Sequence, residues 1–202
     1  MIQSVVFDMG NVLIPFEPDL MMEQAGVLTE DRGLFRHEVF FSREWIQFDR
    51  GTLEEDEVKR RMAKNLPARL HGAMEYVFDH IFDGSVPNQE ITDLILDCKR
   101  AGLGVYLLSN ASKRFYDYKK RIPSVELMDG MVISCDVGLL KPDPAIFRLL
   151  FEMFALSPEE CFFIDDMALN IEAAEHCGMR GFVYRRDIDR LRAALSEAGT
   201  NL

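Results

Sequence analysis

Apolar and polar positions change most abruptly near the amino terminus, where the run Val5-Val6-Phe7 stops at the carboxylate of Asp8. β-Branched and aromatic residues in succession favour a strand that is buried on both faces. Gly10, two residues after Asp8, permits a tight bend or a close backbone approach. We therefore predict a strand that delivers Asp8 to the carboxyl edge of a sheet, where ligands bind in open α/β folds. An Asp that only caps a turn would show the same local pattern.

Between residues 16 and 88, apolar positions recur at helical spacing, and glycine and proline residues interrupt the pattern. The sequence TLEE, from Thr52 to Glu55, matches a capping box in which the Thr52 hydroxyl caps the helix. It predicts a helix that continues to about residue 65 and ends before Pro67.

After residue 88, strand-like and helix-like segments alternate. Strands are predicted at residues 104–109, 131–134, 161–165 and 181–184, and helices at about 144–155, 168–177 and from 188 onward. This order predicts an α/β fold with a doubly wound, mostly parallel, Rossmann-like sheet of five or six strands. We expect residues 1–15 and 89–202 to form this core domain and residues 16–88 to form a helical cap domain inserted after the first strand.

Composition narrows the class of protein. The 202 residues are 48% hydrophobic, which is enough to fill the interior of one sizeable domain. The formal net charge of -11 argues against nucleic acid or an anionic membrane as a partner, because both require basic surface. The cysteines lack CxxC spacing, so we expect buried, reduced thiols. No segment reaches the roughly 20 apolar residues of a membrane span, and we expect a soluble, cytoplasmic protein whose oligomeric state stays open.

Polar groups also follow other predicted strands. Ser109 and Asn110 end one strand, and both side chains can donate hydrogen bonds to an oxyanion, although helix caps and turns use the same residues. Lys141 precedes Pro142, which favours extended geometry at the lysine, and Asp143 can cap the next helix. A lysine constrained in this way is a candidate fixed positive charge, with an ordinary solvated lysine as the alternative.

Two adjacent acids, Asp165 and Asp166, end another apolar strand, and Asn170 follows. If these carboxylates meet Asp8 at one edge of the sheet, they repel one another and resist ionisation unless a cation compensates them. Oxygen ligands of this kind favour Mg²⁺. Plain helix capping by the two acids is the structural alternative.

In chain order, the motifs are FDMGNVL, LLSN, GLLKPDPAIF and FIDD. This order, with a helical segment between the first two motifs, strongly resembles the haloacid dehalogenase-like hydrolase superfamily over essentially the whole chain. Within that superfamily, the motifs look closest to bacterial sugar phosphatases of the α-D-glucose-1-phosphate phosphatase type. The resemblance implies a Mg²⁺-dependent phosphoric monoester hydrolase whose substrate is a small phosphorylated metabolite, with a sugar phosphate expected.

The resemblance also implies roles for individual residues. Asp8 would attack phosphorus and form an aspartyl-phosphate that water then hydrolyses, and Lys141 would be the second catalytic residue. Mg²⁺ would bind Asp8, the Gly10 carbonyl and Asp166, with Asp165 as a direct or water-mediated ligand. The residues expected to contact substrate are Ser109, Asn110, Gly10, Asn11, Trp45 and Arg50.

One position departs from the family pattern. Most phosphatases of the superfamily carry a second Asp two residues after the nucleophile, and here that residue is Gly10. Loss of such a general acid costs about 10²- to 10⁴-fold in rate, so we expect a substrate with a good leaving group, such as an anomeric sugar phosphate. The segment from Trp45 to Arg50 would offer the sugar an aromatic platform and hydrogen bonds, although aromatic residues at this spacing also fit ordinary cap core.

Two other functions remain open from the sequence. A metal-independent 2-haloacid dehalogenase also uses an Asp nucleophile without the second Asp, but the pair Asp165-Asp166 argues against this class, which does not retain it. A catalytically weak module that binds a phosphorylated ligand or a protein partner is the other alternative. Because clustered charge is expensive to desolvate, the retained acids and lysine favour catalysis.

Overall fold

The computed structural model describes residues 1–200 and residue 202. Within these residues, one five-stranded sheet forms the centre of the fold, with all neighbouring strands parallel and the order β3-β2-β1-β4-β5. The strands are β1 Ser4–Phe7, β2 Gly104–Ser109, β3 Gly130–Ile133, β4 Cys161–Asp165 and β5 Arg180–Val183. The predicted α/β fold class is confirmed.

Helices cover both faces of the sheet. The α-helices are α1 Pro18–Gln24, α2 Arg32–Phe35, α3 Arg43–Asp49, α4 Glu55–Asn65, α5 His71–Asp79, α6 Gln89–Arg100, α7 Phe115–Tyr118, α8 Ser134–Val137, α9 Pro144–Phe154, α10 Ala168–His176 and α11 Ile188–Glu197. A π-helical turn covers Arg36–Phe40, and short 3-10 helices cover Thr29–Asp31, Ala68–Leu70, Lys119–Arg121, Pro123–Leu127 and Pro158–Glu160.

The central strand β1 is buried on both faces, as its unbroken apolar run predicts. Val5, Val6 and Phe7 have no exposed surface. Successive strand side chains point to opposite faces, so Val5 and Phe7 join one apolar cluster with α6 and α11, whereas Val6 joins another with α9 and α10. The sheet is therefore doubly wound around β1.

Strand register brings the polar strand ends to one edge. Phe7 pairs with Leu107 of β2 and with Ile164 of β4. The backbone N–H of Asp8 continues the ladder and donates to the Ile164 carbonyl at 2.9 Å. Asp8 consequently leaves the sheet at the level of Asp165, at the carboxyl edge.

Residues 18–79, here called the helical insertion, contain helices α1 to α5 and lie between β1 and α6 in the chain. Buried side chains such as Phe35 and Phe78 belong to the same apolar cluster as side chains of β1. Arg114, the residue before α7, donates two half-buried hydrogen bonds of 2.6 Å to the carboxylate of Glu55 in α4. The division into core and cap domains stays a prediction.

The predicted capping box at Thr52 is wrong. Helix α4 begins at Glu55 with Glu54 in the cap position, and the Thr52 hydroxyl donates instead to the Gln47 carbonyl at 3.2 Å. Gly51, with φ +74°, turns the chain at the end of α3 and folds Thr52 back over that helix. The Thr52 hydroxyl therefore bonds to α3, the helix before it, and not to α4, the helix that the motif predicts it to cap.

The cap of α9 and the state of the cysteines were also predicted from the sequence. The carboxylate of Asp143 accepts a hydrogen bond of 2.9 Å from the Ala145 N–H and caps α9, as predicted. The four cysteines are free thiols, but Cys177 at the end of α10 is half-buried rather than buried, so the expectation of burial is wrong for this residue. Among the described residues, no helix combines the length and the apolar character needed to cross a membrane.

Gly51 provides a test of how α3 docks on α8. A Cβ at this position would lie 2.3 Å from the Cys135 carbonyl oxygen, whereas a Cβ at Gly26, with the similar φ of +72°, meets no atom within 4 Å. Left-handed strain costs both alanine variants about 1–2 kcal/mol. We expect Gly51→Ala to lose about 1–3 kcal/mol more than Gly26→Ala in urea unfolding, because of the overlap with backbone. Equal losses would contradict this docking.

Candidate active site

A cavity of about 430 Å³ lies between the carboxyl edge of the sheet and the helical insertion. Residues of both regions form its wall. Seven of the residues predicted from the sequence line it: Asp8, Gly10, Asn11, Trp45, Asn110, Lys141 and Asp166. The structure thus brings most of the predicted site residues to one place.

Lys141 lies between two carboxylates. Its Nζ is 2.7 Å from an oxygen of Asp8 and 2.7 Å from an oxygen of Asp165. The lysine is only 4% exposed and its ammonium also lies 5.3 Å from the ring centre of Phe163. It is therefore a fixed buried charge rather than a solvated surface lysine.

The backbone of Lys141 is held as firmly as its ammonium group. The Asn110 side chain accepts from the Lys141 N–H at 2.8 Å and donates to the Lys141 carbonyl at 2.9 Å. The amide of Asn110 therefore positions the lysine while the residue lines the cavity, and its predicted contact with substrate stays a prediction.

Asp165 is completely buried, and its oxygens are occupied by donors from the protein. They accept hydrogen bonds from Lys141 Nζ at 2.7 Å, from Asn170 Nδ2 at 3.0 Å and from the Met167 N–H at 2.8 Å. Because the carboxylate has few acceptor positions left, this arrangement favours Asp165 as an anchor for Lys141 over a direct metal ligand.

Asp166 has a different environment. It is half-buried and accepts a hydrogen bond of 2.9 Å from Asn11, and one oxygen each of Asp8, Asp165 and Asp166 lie within 4.8 Å of one another. Burial raises the pKa of Asp166 above its ordinary value, and the charge of Asp165 adds to this effect. Three carboxylates facing a single lysine leave negative charge uncompensated, so the donor set fits a divalent cation such as Mg²⁺.

The nucleophile candidate and its lysine also influence each other's protonation. Burial raises the pKa of Asp8 to about 7, although Lys141 opposes this shift. Burial alone would lower the pKa of Lys141, but the charges of Asp8 and Asp165 outweigh it and raise the pKa. The lysine therefore stays charged at neutral pH.

Asn11 contributes to the shape of the site. Its backbone adopts φ +58°, and its side chain spans the loop by donating to Asp166 and accepting from the Phe16 N–H at 3.0 Å. The amide thus joins the loop after β1 to the acid after β4. Its predicted role in binding substrate stays a prediction.

Three predicted residues do not line the main cavity, namely Asp165, Ser109 and Arg50. Ser109 ends β2 with only 1% of its surface exposed. Arg50 is exposed and lines a neighbouring cavity of about 330 Å³, which shares Asn110 and Lys141 with the main one. The structure therefore separates Arg50 from the wall that Trp45 helps to form.

The walls of the cavity contain aromatic residues that the sequence reasoning missed. They include Phe16, Phe41, Phe82 and Tyr118. Phe16 packs against Trp45 and Phe82, with ring centres 6.3 and 6.0 Å apart. These residues come from distant parts of the chain, and the sequence carries no shared signal that would have grouped them. Trp45 lines the cavity and also packs in the aromatic core, and its predicted contact with substrate stays a prediction.

Asp49, which belongs to the segment expected to offer hydrogen bonds to a sugar, also lines the cavity. Burial raises its pKa to about 8, although the Trp45 side chain and the Ser112 backbone N–H oppose the shift. A signal existed in the sequence, because Asp49 lies within the segment from Trp45 to Arg50, but periodicity alone does not tell which residue faces inward.

Comparison with known proteins agrees with this geometry. A model of the haloacid dehalogenase-like hydrolase family matches residues 2–178. The sesquiterpene phosphatase AstK of Aspergillus oryzae is 27% identical over 181 residues, which cover 89% of this chain and 88% of that protein. Bifunctional epoxide hydrolase 2 of Sus scrofa is 27% identical over 174 residues, covering 82% of this chain but only 30% of the longer protein.

Solved structures share the fold. An enzyme of the same family from Bacteroides thetaiotaomicron, crystallised with magnesium and inorganic phosphate, superposes with a TM-score of 0.75 at 22% identity and covers 95% of this chain and 99% of that one. L-2-haloacid dehalogenase of Xanthobacter autotrophicus, with chloropropionic acid covalently bound, gives a TM-score of 0.65 at 16% identity over 100% and 85% of the two chains. At these identities, the likeness establishes the fold alone.

The buried lysine can be tested by its effect on stability. Lys141→Met is expected to lower the free energy of unfolding by about 3 kcal/mol or more, because it leaves Asp8 and Asp165 without their cation. Lys99→Met, which removes an exposed pair with Asp129 at 2.6 Å, is expected to cost at most about 1 kcal/mol. Urea unfolding of both variants measures the difference, and a loss from Lys141→Met as small as that from Lys99→Met would contradict the buried-pair interpretation.

Proposed function

Because this chain belongs to the haloacid dehalogenase-like hydrolase family, we propose that it is a Mg²⁺-dependent phosphatase that hydrolyses a small phosphorylated metabolite through an aspartyl-phosphate at Asp8. The observation that carries the proposal is the placement of Lys141 between Asp8 and Asp165, beside a third carboxylate and at the wall of a cavity. A nucleophile, a fixed cation and a metal-compatible acid cluster are the parts that phosphoryl transfer requires.

The mechanism follows from the charges of these residues. An oxygen of Asp8 attacks phosphorus in line with the leaving oxygen and becomes part of an acyl phosphate, which water hydrolyses in a second step. Lys141 lies next to the attacking oxygen, so it offsets the repulsion between that carboxylate and the dianionic phosphate. Asp165 keeps the lysine in this position.

The metal would bind to Asp8, Asp166 and the backbone carbonyl of Gly10, which line the same cavity. When bound, Mg²⁺ supplies positive charge that favours both the binding of phosphate and its attack by a carboxylate. Asn11 donates a hydrogen bond to Asp166 and so orients this acid toward the cluster.

We propose a sugar phosphate as the substrate, with the phosphate on the anomeric carbon. Gly10 supplies no acid to the leaving group, and an anomeric oxygen carries negative charge more easily than an ordinary alcohol oxygen. The polar lining residues Arg36 and Ser112 are available for sugar hydroxyls. Trp45 offers an aromatic surface for the ring.

A second substrate class is favoured by the same walls. Phe16, Phe41, Phe82 and Tyr118 make much of the lining aromatic, which suits a phosphate ester with an apolar body. The relative from Aspergillus oryzae is named a sesquiterpene phosphatase. A terpenyl monophosphate is therefore the apolar substrate to compare with sugar phosphates.

The nucleophile is tested with an Asp8→Asn variant. We expect it to lose about 10³-fold or more of the Mg²⁺-dependent phosphate release, since the amide is a poor nucleophile. Asp93→Asn, at an exposed position on α6, is the matched control and is expected to keep wild-type activity. Chelation of the metal should abolish wild-type turnover as well.

Two results would contradict the phosphatase proposal and favour another function. Equal background release from the wild type and Asp8→Asn would favour a module that binds a phosphorylated ligand without turnover. Chloride release from 2-chloropropionate without added metal would favour a dehalogenase, the activity named for one of the structural neighbours.

The substrate class is tested by measuring kcat/KM for glucose 1-phosphate, glucose 6-phosphate and farnesyl phosphate under identical conditions. We expect glucose 1-phosphate to exceed glucose 6-phosphate, because its anomeric oxygen is the better leaving group. Preference for the 6-phosphate would remove the anomeric proposal. The highest value for farnesyl phosphate would instead support an apolar substrate.

A further inference from the structure

Gly10 leaves the reaction without a proton donor at the position two residues after Asp8, so another group has to supply the leaving oxygen with its proton. The side chains that can titrate and line the main cavity are Asp8, Arg36, Asp49, Tyr118, Lys141 and Asp166. The proposed function already uses Asp8, Lys141 and Asp166.

The remaining three groups differ in their ability to give up a proton. Arg36 is a permanent cation and pairs with Asp19. Burial raises the pKa of the Tyr118 hydroxyl well above its ordinary value, which makes it a poor acid. Asp49 is the carboxyl group that is left.

The fold places Asp49 on the wall formed by the helical insertion. It is the last residue of α3, and its backbone carbonyl accepts a hydrogen bond from the Ser134 hydroxyl at the start of α8. Gly51 packs against the backbone of Cys135 close by. The end of α3 is therefore anchored to the part of the molecule that carries the nucleophile.

Asp49 also lines the same cavities as Lys141, the fixed charge of the proposed reaction. It lines both the main cavity and the neighbouring one, and Asn110 and Lys141 line both cavities too. In an in-line displacement, the leaving oxygen points away from the attacking carboxylate. That direction leads from Asp8 into the cavity, whose wall the insertion helps to form.

We propose that Asp49 is the proton donor to the leaving group, a catalytic residue that replaces the acid absent at Gly10. This inference rests on the proposed function. In the first step, an oxygen of Asp8 forms a bond to phosphorus, the bond between phosphorus and the leaving oxygen breaks, and that oxygen keeps the electron pair and takes the proton of Asp49.

The second step restores both carboxyl groups. Water attacks phosphorus and passes a proton to the Asp49 carboxylate, while the bond between phosphorus and Asp8 breaks and its electron pair returns to the Asp8 carboxylate. The sum is an alcohol and inorganic phosphate from a phosphate ester and water. Asp49 thereby reduces, without removing, the advantage of a substrate with a good leaving group.

The electrostatic setting agrees with this role. Burial raises the pKa of Asp49 to about 8, so the carboxyl group carries a proton at neutral pH. The titratable groups that interact with it from other elements are Tyr118 and Cys135, and burial raises the pKa of both, that of Cys135 to about 12. Both groups are uncharged at neutral pH, and Lys141 across the cavity stays positive.

The test compares two aromatic phosphates of similar shape. The leaving group of 4-nitrophenyl phosphate departs without a proton, whereas that of benzyl phosphate is an ordinary alkoxide that needs one. We expect Asp49→Asn to slow the first turnover of benzyl phosphate about 10²- to 10⁴-fold and that of 4-nitrophenyl phosphate less than about 10-fold. First-turnover rates are measured by rapid quench with saturating Mg²⁺, so that hydrolysis of the aspartyl-phosphate does not limit them.

Three further measurements separate chemistry from structure. Asp56→Asn, at an exposed position of the same insertion, is the matched control and is expected to behave as wild type. Asp49→Glu is expected to recover part of the benzyl phosphate rate. The wild-type rate on benzyl phosphate is expected to fall as pH rises through about 8, where Asp49 loses its proton, and Asp49→Asn is expected to lack this fall.

Equal slowing of both substrates by Asp49→Asn would overturn the inference and leave a structural role, and wild-type rates on both would overturn it as well. Either result leaves the proposed phosphatase intact. If the wild type releases no product from any phosphate ester tested, the proposed function itself fails.

Discussion

The ammonium group of Lys141 holds the carboxyl edge of the sheet together. Asp8 and Asp165 emerge at the same level because β1 and β4 are paired in parallel, and their mutual repulsion inside the protein would be large without a cation between them. The lysine contacts both at 2.7 Å, and Asn110 fixes its backbone. The same ion pairs therefore stabilise the fold and fix a positive charge in the site.

The acids at this edge of the sheet outnumber its lysine, so the site has an excess of negative charge like the chain as a whole. The chain carries a net charge of -11, yet the site must admit an anion in the proposed reaction. Lys141 supplies one fixed positive charge. The three acids around it carry more negative charge than the lysine offsets, which favours the binding of a divalent cation. In the proposed function Asp166 is the better candidate ligand, because its only described side-chain donor is Asn11, whereas Asp165 accepts hydrogen bonds from Lys141, Asn170 and Met167.

The two regions around the cavity supply different chemistry. The sheet edge contributes charged and hydrogen-bonding groups, and the helical insertion contributes Phe41, Trp45 and the carboxyl group of Asp49. The other aromatic wall residues, Phe16, Phe82 and Tyr118, come from segments outside the insertion. Contacts of Gly51 with Cys135, and of Ser134 with the backbone of Asp49, set the position of α3 relative to the sheet. The part of the cavity wall that α3 supplies, Trp45 and Asp49, therefore depends on these contacts.

Local pattern was enough to predict the parallel sheet and the strand ends that carry Asp8 and Asp165, since a buried strand is recognisable from a few residues and parallel strands end at a common edge. The place of Lys141 beside Asp8 was implied by the resemblance of the motifs to a known family. The predicted bounds of β2 and β4 agree with the structure. Periodicity did not distinguish Asp49, which lines the main cavity, from Arg50, which does not. The rotation of α3 makes that choice, and it is set by packing against Ser134, 85 residues away in the chain. Contacts at such separation leave no mark on the short-range pattern, so they become visible only once the chain has folded.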